Sequence, residues 1–219
     1  MLKDDSWFFD WYWRHATEEE KQLHDRYSEF CDTDFNDMVF GEGSITLDLI
    51  KCKSKSMDSD EWQDDYVSLP DELEYFNPNW FHTEIADLGE GACGQFDREK
   101  QTITIAPDCV DEDSHLLHEI IHLYEYIVNE LPLYYHDMLI MALYLDLRDK
   151  IVGLDDAITQ HSHLLNGQSI ERYGGVHDIL FLLKSFDLDI RHGYEFGTVF
   201  GYGRVDDFSF LKLAETAAT

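Results

Sequence analysis

His118, Glu119 and His122 are the residues of this chain whose types and spacing most clearly suggest chemistry. On a helix, residues four apart lie one turn apart on the same face, so both imidazoles can reach one ion. Glu119 stands beside the first histidine, where its carboxylate can take a proton from a water activated by that ion. Leu116, Leu117, Ile120, Ile121, Leu123 and Tyr124 are all uncharged, as a helix buried beneath a cleft requires. The bland alternative is a pair of histidines on a helix surface, and the apolar flanks count against it.

The surrounding elements would have to hold that helix. Trp7, Phe8, Phe9, Trp11, Tyr12 and Trp13 form a dense aromatic opening, read as an arm or short helix that plugs onto the core. An exposed partner-binding patch is the alternative. Thr17 to Glu20 reads as a capping box that opens a helix through about Phe30, with Leu23, Tyr27 and Phe30 as its apolar stripe. Residues 45–50 alternate as a strand, 51–65 are charged and loop-like, and 70–80 are irregular. Residues 91–96 and 102–105 flank the polar run 97–100 and predict a β-hairpin ended by Pro107 and Asp108. Asp111, Glu112, Asp113 and Ser114 supply acidic and capping residues at the start of the histidine helix. That helix breaks near Leu131, and Pro132 starts the next. Residues 134–150 predict a helix buried on most faces. A third follows through Leu154, Ile158, His161 and Leu165, closed by Asn166 and Gly167, and a fourth spans 176–186. The glycine-spaced tail reads as loop or short strands.

The pentapeptide His118-Glu119-Ile120-Ile121-His122 resembles the signature of the zincin metallopeptidases. The order of elements also resembles a minimal zincin, over roughly residues 45–150. The resemblance implies an α+β fold: a small mixed sheet packed on the active-site helix, followed by a mostly helical C-terminal part. It also implies a zinc ion held by His118, His122 and a third ligand, leaving one position for water. In gluzincin-type relatives that third ligand is an acidic residue on the next helix. Asp146 falls there and is the only charged residue from 138 to 147, a costly place for a carboxylate unless it is paired or coordinated. A salt bridge to Arg148 or Lys150 is its other role. Asp149, His136 and Asp137 are further candidates, and His115 is read as a helix-start residue. Aspartate departs from the glutamate of that family. The metzincin extension is absent, since Glu125 and Val128 stand at its positions, and an ImmA/IrrE-like label lacks both its helix-turn-helix and its usual glutamate motif. Glu125 is expected to hydrogen-bond a ligand. His177, His192 and Tyr194 are candidates to stabilise an oxyanion, each against an ordinary packing or turn role.

The implied activity is zinc-dependent hydrolysis of peptide bonds, with Glu119 as general base and the strand at 91–96 as the sheet edge that pairs with an extended substrate. The chain has 219 residues, 16 Lys and Arg against 46 Asp and Glu, and a formal charge of −30. Such a charge excludes nonspecific nucleic-acid binding. It fits a solvated acidic surface, a peptide or protein substrate that is basic, or mimicry of nucleic acid. The rival function is therefore an acidic, non-catalytic interaction or inhibitor protein, a DNA mimic on a zincin-like scaffold. A metal-dependent hydrolase of another bond is a third reading. With no linker or repeat, one domain over 1–219 is expected, comprising an aromatic and helical segment at 1–35 and a helical extension at 151–219. The start lacks a signal-peptide pattern and no apolar run reaches membrane-spanning length. Cys31, Cys52, Cys93 and Cys109 form no C-x-x-C pair. They are read as isolated reduced thiols of a cytoplasmic protein, with no cysteine-based zinc site.

Overall fold

Thr17 caps the helix Glu18–Phe30. In the computed structural model its hydroxyl accepts from Glu20 N at 3.1 Å, and Glu20 Oε2 accepts from Thr17 N at 2.7 Å, which is the capping box expected from the sequence. The structure describes residues 6–35, 81–129, 133–165, 177–201 and 204–215. The expected strand at 45–50, the loop at 51–65, the irregular stretch at 70–80 and the Asn166-Gly167 stop lie outside the described residues. Two compact units are present, Met1–Ile127 and Val128–Thr219, and their boundary falls within a helix rather than in a linker.

In the first unit, α1 (Ser6–His15) precedes α2 (Glu18–Phe30). Tyr12 of α1 is buried, and its hydroxyl donates to Thr83 O at 2.7 Å, while Trp11 is half exposed. The aromatic opening is thus a helix seated on the unit through Tyr12. On α2 the stripe Leu23, Tyr27 and Phe30 is buried as its spacing requires. Three strands follow: β1 (His82–Ile85), β2 (Gly94–Asp97) and β3 (Thr102–Ile105), in the order β1-β3-β2. β2 and β3 form the predicted antiparallel hairpin, whereas β1 pairs parallel to β3 and was not read from the sequence. Asp97 Oδ1 holds the turn by accepting from Glu99 N and Lys100 N, each at 3.0 Å. β3 is the central strand, and all four of its residues are buried. Among the described residues β2 has one paired neighbour and is therefore an edge.

Next comes α3 (Asp113–Asn129), the helix of the histidines. Arg26 fastens its start to α2, donating to Asp113 Oδ1 and to Val110 O, each at 2.6 Å. Leu116, Leu117, Ile120, Ile121, Leu123 and Tyr124 are buried, so the uncharged flanks do mark a buried helix.

The cysteines require a correction. Cys93 and Cys109 form a disulfide across a sequence separation of 16, with Cα atoms 5.5 Å apart. The hairpin register is the cause. Gly94 pairs with Ile105, and Ala106 N donates to Cys93 O at 2.9 Å, so the residues just outside both strand ends are brought together. Cys31 is free and buried, and Cys52 lies outside the described residues. For Cys93 and Cys109, the ground on which a reducing compartment was expected is gone.

The second unit contains α4 (Leu133–Leu147), β4 (Ile151–Val152), α5 (Leu154–Leu165), α6 (Ile179–His192) and β5 (Lys212–Leu213). Leu139, Ala142, Leu143 and Leu147 of α4 are buried. β4 and β5 pair antiparallel, so part of the tail is a short strand. Helix α6 outruns its expected end at Phe186 by continuing to His192. Lys184, Asp187 and Asp189 look like surface residues, yet all three are buried. Asp187 accepts from Lys184 at 2.9 Å and from Arg191 at 3.0 Å, which satisfies both charges inside the helix. Gly193, at φ 70°, then closes the helix in the left-handed region. Taken together the described elements make a mixed α+β chain, and no described helix is long and apolar enough to cross a membrane.

Candidate metal centre

Helix α3 brings His118 and His122 onto one face, with ring centroids 5.1 Å apart and planes at 79°. One ring nitrogen of each lies within 4.8 Å of the other, so the pair can act on one metal ion. His118 is buried. Burial, and then the neighbouring His118, push the His122 imidazole down to about 3. It is therefore neutral at physiological pH, which is the form that ligates metals. Glu125 Oε2 lies 3.4 Å from His122 Nδ1, one helical turn further on, where a carboxylate can fix the orientation of the ring.

Glu119, the residue after His118, lies against β2. Its carboxylate is buried and accepts from the backbone N–H of Phe96. Burial raises its pKa to about 8, and the Phe96 hydrogen bond pulls in the opposite direction. Gly94 makes this approach possible. A Cβ at that position would stand 2.5 Å from Glu119 Oε1 and 2.6 Å from its Cγ. Gly94 was missed as a site residue in the sequence, although a glycine opening a predicted strand is a signal for close approach by another group.

The remaining candidates belong to the second unit, where each is placed by its own neighbours. Asp146 accepts from Lys150 Nζ at 2.7 Å, and its side chain retains 28% exposure. It is thus neither fully buried nor without a counter-charge, which removes the reason for singling it out. Asp149 and Asp137 are exposed, and His136 lies 3.0 Å from Asp178 Oδ2. His177 stacks on Phe181 with centroids 4.0 Å apart, and His192 stacks on Tyr194 at 5.7 Å.

No family model, no curated protein and no solved structure matches the chain.

Proposed function

We propose that the chain is a zinc-dependent metallopeptidase of zincin type, with Glu119 as general base. The observation that carries this reading is the juxtaposition on α3 of two histidines one turn apart, the first buried and the second held neutral, with a buried carboxylate one residue from the first. Zinc accepts imidazole nitrogen readily, and α3 supplies two of the three protein ligands that a catalytic zinc takes. His118 and His122 are the two ligands assigned to α3, and Glu125 orients the second of them. When bound, zinc supplies the positive charge that acidifies water and polarises a carbonyl.

The chain's own residues supply the rest. In its ionised form, which gains as pH rises toward its raised value of about 8, Glu119 removes a proton from the attacking water and returns it to the leaving amine. The Phe96 N–H holds the Glu119 carboxylate in place while it does so. β2, as an edge strand, offers backbone groups to an extended peptide by strand addition. With a chain charge of −30, a basic peptide is the favoured substrate.

The test uses purified protein, a basic unfolded polypeptide as substrate, and the variants Glu119→Gln and His122→Ala. Glu119→Gln is expected to keep zinc and lose hydrolysis by about a hundredfold or more. His122→Ala should lose both. A correctly folded wild-type chain with no zinc, even after zinc is supplied, overturns the reading. The strong negative charge favours one other function, an acidic binding protein. For that function, Glu119→Gln would leave capture of a basic partner intact.

A further inference from the structure

A second set of metal-type ligands meets at the start of α3. Cys93 stands just before β2, Cys109 ends the 3-10 turn Pro107–Cys109, and His115 lies in the first turn of α3. One ligand atom from each of the three lies within 4.8 Å of the other two. Two separate features of the fold bring them together. The β2–β3 register carries the two cysteines, and the ion pair of Arg26 with Asp113 sets the start of the helix that carries His115. His115 Nδ1 is shut off from solvent and has no hydrogen-bond partner, with Glu112 Oε2 at 3.7 Å. A buried ring nitrogen left in that state calls for a function.

We propose that Cys93, Cys109 and His115 form a redox-gated zinc site, separate from the histidine pair of α3. With the cysteines reduced, two thiolates and one imidazole bind a thiophilic divalent ion, leaving the fourth position to Glu112 or water. The ion then ties together the same backbone segments that the disulfide ties when it is absent. A peroxide empties the site. The two thiolates give up two electrons and form the S–S bond. Hydrogen peroxide takes those electrons with two protons and leaves as two waters, and the ion departs from His115. The Cα separation of 5.5 Å in the oxidised state lies within the range for a disulfide. The C-x-x-C spacing of familiar zinc motifs is missing because a hairpin, rather than a tight turn, brings the sulfurs together.

Cobalt(II) is the probe, added to the full chain carrying His118→Ala and His122→Ala so that the other pair cannot contribute. The reduced protein is expected to bind about one equivalent with a thiolate-to-cobalt charge-transfer band, and the disulfide form none. Adding His115→Ala, which leaves the disulfide able to form, should weaken cobalt binding by about tenfold or more. Hydrogen peroxide should release the ion and restore the disulfide. The proposal is overturned if the reduced chain, folded by circular dichroism, takes up no cobalt, or takes it up without the thiolate band. It is equally overturned if reduction unfolds the chain and cobalt fails to refold it.

Discussion

Gly94 of β2 and Glu119 of α3 are in such close contact that no side chain larger than hydrogen fits between them, since a Cβ would meet Glu119 Oε1 at 2.5 Å. The strand lies directly over the carboxylate, and the backbone N–H of Phe96, two residues on, binds it. The proposed substrate edge and the proposed base are thus one structural unit. Gly94→Ala should cost about 1–3 kcal/mol of stability by overpacking. It should also lower hydrolysis about a hundredfold by displacing Glu119. Zinc content should be unchanged, because the atoms that a Cβ at position 94 meets first all belong to Glu119. Denaturant melts, turnover and metal analysis on one preparation check all three.

Glu125 predicts a graded effect rather than an all-or-none one. Its oxygen lies 3.4 Å from His122 Nδ1 and would hold that ring for metal binding through the other nitrogen. Glu125→Ala should weaken zinc affinity by roughly 10- to 100-fold while leaving the fold intact. Competition with a chromophoric chelator measures the change. An affinity equal to the wild type would remove Glu125 from the site.

Asp146 should behave as the partner of Lys150. Asp146→Asn breaks a partly exposed i,i+4 ion pair, with an expected loss of about 0.3–0.5 kcal/mol and no loss of zinc. Zinc loss in a folded Asp146→Asn variant would restore the aspartate as a ligand.

Asp189 supplies a pH dependence. Burial pushes its carboxyl up to about 7, and the N–H groups of Val199 and Gly197 oppose that rise. The folded chain therefore holds this proton more tightly than the unfolded chain, whose carboxyl titrates near 3.8. Its contribution is fully present below the unfolded value and is lost as pH rises through about 7. Stability should fall over that interval by an amount on the order of a few kcal/mol attributable to this group. Asp189→Asn should flatten that part of the profile. Urea melts of both proteins at a series of pH values, compared as slopes, separate Asp189 from the self-repulsion of a highly acidic chain.

Local patterns in the sequence were legible where local physics decides. The Thr17 and Glu20 cap, the apolar stripe of α2, the hairpin around Asp97 and the burial of α3 all follow from interactions a few residues apart. Three features did not, for a common reason. β1 is only four residues long and owes its place to parallel pairing with β3, a partner 20 positions away. The Cys93–Cys109 bond depends on hairpin register rather than on cysteine spacing. The part of α6 beyond Phe186 carries carboxylates whose partners the fold supplies, so Asp187 and Asp189 read as surface residues until Lys184, Arg191 and the 197–199 loop are in place. At the candidate centre, the two histidines and their glutamate are a local pattern and were readable. Gly94 and the partner of Asp146 depend on which neighbours the fold supplies.

The bond between Cys93 and Cys109 also changes what a backbone cut would do. It encloses the hairpin turn with its exposed Arg98, Glu99 and Lys100, a natural place for a protease to nick. Cleavage there would leave two pieces held by sulfur, so the strand over Glu119 would remain attached to the rest of the chain. On a gel such a molecule would run as one band until reductant was added.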